Sequence, residues 1–93
     1  MNWESTVVAG AWLLTPQAHS DDRGFFARTY CAREFEERGI RLCWVQCSVS
    51  YNVHAGTLRG LHYQVAPYAE ARLVRCTRGA ILDIFTSDDF VRF

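Results

Sequence analysis

Gly56-Thr57-Leu58-Arg59-Gly60-Leu61-His62-Tyr63-Gln64 is the stretch on which the fold reading turns. Its residues predict a β-strand over 57–65 with Gly60 in the middle. Strict alternation sets Arg59 and His62 on opposite faces of such a strand. A bulge at Gly60 brings both to one side, and glycine is the residue a bulge favours. Two readings of His62 stand open from these residues alone: a half-buried structural histidine, or a general base beside an anion-binding arginine.

Working outward, Cys43-Trp44-Val45-Gln46-Cys47-Ser48-Val49-Ser50 alternates with period two. Val45, Cys47 and Val49 share one face, and Gln46, Ser48 and Ser50 the other. The polar face suits either water or a polar cavity. Downstream, residues 66–70 read as a loop through Pro67, 71–76 as a strand, Thr77-Arg78-Gly79 as a tight turn and 80–85 as a further strand. Upstream, residues 5–14 read as a first strand stopped by Pro16. Ser20 to Gly24 reads as a turn with Asx side chains, and 24–30 as a second strand. Residues 32–38 are the helical candidate, with Phe35 as the apolar contact and Gly39 as the stop. Short strands, regular turns and one short helix predict an all-β fold, a sandwich or barrel.

With 93 residues the chain has room for a single domain over 1–93. A chain so short buries a small share of its surface, which makes oligomerisation or truncation an expectation. Composition is that of a soluble globular protein, 49% hydrophobic and 22% charged with formal charge zero, and it gives no reason to expect nucleic-acid or membrane binding. All ten cations are arginines, whose planar forks suit paired contacts to phosphate and carboxylate. The opening residues lack a basic leader and the apolar patch at 7–14 is too short and broken to span a membrane, so a cytoplasmic location is expected. Cys31, Cys43, Cys47 and Cys76 form no Cys-x-x-Cys pair, which favours reduced thiols over zinc or disulfides.

Five blocks in order resemble one family. They are Asp22-Arg23-Gly24-Phe25-Phe26, Gln46-x-Ser48-x-Ser50, the 56–64 stretch, Arg72-Leu73-Val74-Arg75 and Gly79-Ala80-Ile81-Leu82-Asp83. Together they are similar to the dTDP-4-dehydrorhamnose 3,5-epimerases over roughly residues 10–85. The resemblance implies a cupin-like jelly roll, here the N-terminal half of one, and a homodimer in the full-length family. It implies inversion at the carbons flanking the keto group of a dTDP-linked 4-keto-6-deoxy sugar, with no cofactor and no metal. The family's acid tyrosine, and the aspartate that partners its histidine, fall beyond the matching half. The chain is accordingly expected to be truncated, with 86–93 an aberrant tail, and to show little or no epimerase activity alone.

The resemblance also assigns residues. His62 stands as proton acceptor, and an imidazole that titrates near neutral pH suits removal of a proton beside a ketone. Arg23, Arg59 and Arg72 stand as anion contacts, with Arg72 where the family usually has lysine. Gln46 and Ser48 stand as polar contacts, with Ser48 where the family usually has asparagine. Arg28 is a substrate-site position that usually carries glutamate, so its charge is reversed here.

Two other function classes remain. One is a non-catalytic half-domain that pairs through open strand edges. The other is a metal-dependent cupin, which the pattern disfavours because Gln64 occupies the position of a second histidine and an amide oxygen is a poor ligand for zinc or iron.

Overall fold

In the computed structural model the described residues are 1–60, 62 and 71–85. The second half of the expected 57–65 strand, the loop at 66–70 and the tail at 86–93 lie outside them. The described elements are β1 (Asn2–Ser5), β2 (Trp12–Thr15), β3 (Ala18–Asp21), β4 (Gly24–Ala27) and α1 (Ala32–Glu37). β1 pairs with β2 and β3 with β4, giving two antiparallel two-stranded sheets. This is the expected all-β class with one short helix, and among the described residues no barrel closes.

The first sheet departs from the single strand expected at 5–14. Its register sets Trp3 opposite Leu14 and Ser5 opposite Trp12, so the chain turns between them. The Thr6 hydroxyl explains the reversal: it donates toward the Val8 and Ala11 carbonyls, each at 3.0 Å, and accepts from the Val8 N–H at 3.2 Å. A threonine that satisfies loop backbone this way competes with continuation of the strand. Trp3, Trp12 and Leu14 then share the half-buried face, while Glu4, Leu13 and Thr15 face outward.

The second sheet follows the predicted turn. Asp21 pairs with Gly24 across Asp22 and Arg23, whose φ angles are both negative. The left-handed backbone that a tight hairpin needs therefore falls on Gly24, at φ 137°.

α1 begins at Cys31 without a side-chain cap and ends at a Schellman motif. The Ile40 N–H donates to the Phe35 carbonyl at 2.9 Å, and the Gly39 N–H to the Glu36 carbonyl at 2.9 Å. Gly39 supplies the positive φ, 77°, and Ile40 is the buried residue that follows it. The core gathers here. Phe35 stacks edge-on against Trp3 (4.9 Å between centroids) and Tyr30 (4.8 Å), and Tyr30 reaches Trp44 at 6.0 Å. The Arg38 guanidinium lies 5.6 Å from the Trp3 ring and 5.5 Å from Trp12. α1 thus covers one face of the first sheet.

The segments 43–50, 71–76 and 80–85, expected as strands, carry no described ladder. Val45 and Val49, placed by alternation on an apolar face, are 86% and 96% exposed. A strand is registered by the strand beside it, and no described strand lies alongside these segments. The turn at 77–79 is present as a bend, with Gly79 at φ 79°.

Candidate functional site

Arg23 sits in the turn between β3 and β4, held by its own hairpin. Its backbone N–H donates to Asp21 Oδ1 at 2.8 Å, and its Nη2 and Nε donate to Oδ2 at 2.6 and 3.2 Å. The side-chain bond from Arg23, followed by the backbone bond, holds the Asp21 carboxyl below the usual carboxylate range. Both groups are well exposed, so the pair orders the turn more than it stabilises the fold.

Arg28 follows β4 and faces α1. Its Nη1 lies 3.6 Å from Glu34 Oε2, while Glu34 Oε1 accepts from the Met1 ammonium at 3.1 Å. The ammonium's hydrogen bond, and after it the Arg28 contact, hold Glu34 below the carboxylate range against a partial desolvation. Arg28 therefore meets a carboxylate from its own chain. A hollow of about 240 Å³ opens there, lined by Met1, Gln17, His19, Phe26, Arg28 and Glu34. A second, of about 280 Å³, lies between Tyr30, Glu36, Ile40 and Cys43. Neither is lined by His62.

Arg59 is held by the loop before it. Its Nε donates to Asn52 Oδ1 at 2.6 Å and its Nη2 to the Tyr51 carbonyl at 3.2 Å. The loop is closed on itself by Thr57, whose hydroxyl donates to the His54 carbonyl at 2.7 Å, and by Gly56 at φ 80°. Gly60 has φ 113°, a kinked backbone that sheet geometry does not allow to other residues. A Cβ there would stand 3.6 Å from the His62 N and 3.8 Å from its Nδ1, so the imidazole folds back over the glycine. His62 is exposed.

Gln46 and Ser48 are exposed on the segment after Trp44, and Arg72 is exposed on the segment after residue 70. The partners of Arg23, Arg28 and Arg59 are near neighbours, Asp21, Glu34 and Asn52, rather than one another. The described residues thus present the expected set on several open segments rather than around one cavity. Asn52, the partner of Arg59, was not legible in the sequence: a lone asparagine in a turn carries no pattern. Among the described residues no three His, Cys, Asp or Glu side chains gather in a way that could hold a metal ion. Among them, too, no helix is long and apolar enough to cross a membrane.

A family model described as dTDP-4-dehydrorhamnose 3,5-epimerase matches residues 5–87. A protein of that name from Sinorhizobium fredii is 37% identical over 90% of this chain and 43% of its own length. One from Shigella flexneri is 39% identical over 90% of this chain and 46% of its own length. A third, from Streptomyces niveus and named dTDP-4-dehydrorhamnose 3-epimerase, is 36% identical over 83% of this chain and 37% of its own length. The chain spans less than half the length of these curated relatives. No solved structure shows a significant match. With the matched region covering all five sequence blocks, the chain belongs to the dTDP-4-dehydrorhamnose 3,5-epimerase family.

Proposed function

We propose that residues 1–93 form the N-terminal half of a cupin-like domain and carry the proton-abstracting side of a nucleotide-sugar epimerase site. The substrate in this reading is a dTDP-linked 4-keto-6-deoxy sugar, the assembly a homodimer and the location the cytoplasm. One observation carries the reading: the family match runs through the Arg59–Gln64 block, where His62 stands exposed at a kinked glycine.

The chemistry asks for a base and a positive surface. A neutral His62 imidazole takes the proton from a carbon next to the ketone. The C–H electron pair moves into an enolate whose negative charge falls on the carbonyl oxygen. Return of a proton to the opposite face, which needs an acid other than His62 and in this reading comes from the half of the domain beyond the match, restores the ketone with that centre inverted. In this reading Arg72 meets enolate or phosphate charge, Arg59 offers a fork to diphosphate oxygens, and Arg23 does so in exchange for its Asp21 contacts. Gln46 and Ser48 provide neutral hydrogen bonds to sugar or base. Arg28 adds a cation that Glu34 offsets at 3.6 Å. No cofactor or metal enters this scheme.

Because the relatives are longer, the test uses a whole-length domain. Residues 5–87 replace the matching stretch of the Shigella flexneri relative, and the keto sugar nucleotide is incubated with the graft in heavy water. Deuterium enters beside the ketone, and His62→Ala in the graft lowers the rate by roughly a thousandfold or more. A folded graft whose exchange is indifferent to His62→Ala overturns the reading.

The large exposed apolar side chains favour a second reading, a half-domain that pairs through open strand edges without catalysis. Exchange in the graft dependent on His62 excludes it.

A further inference from the structure

We infer that Asn52 is a positioning residue for Arg59. The inference rests on the reading of Arg59 as an anion contact, and it assigns a role to a loop which that reading leaves unused. An arginine in solvent samples many rotamers, and ordering it on a ligand costs binding free energy. Here the ordering is already done. Asn52 Oδ1 accepts from Nε at 2.6 Å, and the Tyr51 carbonyl accepts from Nη2 at 3.2 Å. Two contacts at different nitrogens of a planar group fix its plane as well as its position. They use two of the five N–H donors that a guanidinium carries, leaving the others for phosphate oxygens.

The clip itself is built. Thr57 ties back to the His54 carbonyl at 2.7 Å, and Gly56 at φ 80° lets the chain reverse. Residues 51–57 therefore form a small closed loop whose opening edge, Tyr51 and Asn52, meets the arginine that follows it. Both acceptors are neutral, so the full positive charge of Arg59 remains available to an anion. An aspartate at position 52 holds the same geometry but cancels that charge. This difference separates positioning from mere loop structure.

The test uses the chain as it is, with thymidine diphosphate as the probe and NMR of the arginine Nε–H as a second readout. In the unaltered chain the Arg59 Nε–H is expected to be distinct and slowly exchanging. Asn52→Ala removes that signature and weakens thymidine diphosphate binding by about five- to tenfold. Asn52→Asp keeps the signature yet binds the nucleotide more weakly than the unaltered chain. In an Arg59→Ala background, Asn52→Ala changes binding no further. Arg59→Ala weakening binding while Asn52→Ala leaves both readouts unchanged overturns the inference and spares the reading of Arg59. Equal losses for Asn52→Ala with and without Arg59 also overturn it, since Asn52 then acts through the loop alone. An unaltered chain that does not bind, or binding indifferent to Arg59→Ala, overturns the anion-contact reading and the positioning role with it.

Discussion

Arg23 reaches back two residues to Asp21, and the consequence is electrostatic and local. The folded Asp21 carboxyl is held below its usual range, first by the Arg23 side chain and then by the Arg23 backbone. A depressed carboxyl contributes stability that is fully present above the unfolded value near pH 4 and is lost as pH falls through the folded one. The β3–β4 turn is therefore expected to loosen in acid below about pH 4, with neutral pH leaving it intact. Carboxyl-carbon NMR titration checks this: Asp21 titrates below ordinary aspartates, and Arg23→Ala returns it to the usual range. An Asp21 midpoint unmoved by Arg23→Ala counts against the pairing. Asp-Asp-Arg-Gly made the turn legible, because Asx chemistry and a glycine act within four residues. The partners of Arg28 and Arg59 were not legible, since Glu34 and Asn52 are ordinary residues until the chain folds them into reach.

At the scale of the element, α1 is too short to persist on propensity alone. It holds through Phe35, 4% exposed, which touches both Trp3 of β1 and Tyr30. Removing that ring takes away the shared contact of helix and sheet. Phe35→Ala is expected to cost about 3 kcal/mol or more, enough to undock α1 from the first sheet. Near-UV circular dichroism reads the outcome through the tryptophans: the signal collapses in Phe35→Ala and survives in Phe35→Leu. Retention of the tryptophan signal in the alanine variant would show that the helix is not the clamp. The helix was readable because its stop lies in adjacent residues, Arg38-Gly39-Ile40, and the Schellman bonds span only that turn. The strands at 43–50, 71–76 and 80–85 were readable as patterns but not as structure, since a period of two needs a neighbouring strand to register it.

Among the described residues, large apolar side chains lie open to solvent. Val45, Val49, Leu58 and Leu82 are all more than four-fifths exposed. Apolar area on that scale draws partners, because the hydrophobic effect follows the area removed from water. The isolated chain is expected to sediment as a species heavier than one chain at micromolar concentration and to bind a hydrophobic dye. A clean monomer with cooperative unfolding would contradict this.

The residues by themselves determined the family, through five blocks in order along the chain, and also the β3–β4 turn and the helix with its stop, because these two are written in neighbours a few positions apart. Tertiary structure alone decided that Trp3 and Trp12 form a hairpin around Thr6, that Arg28 meets Glu34 and that Asn52 holds Arg59. The reason is physical: turn and capping preferences act along the backbone, whereas pairing between side chains and between strands depends on which segments the fold brings side by side.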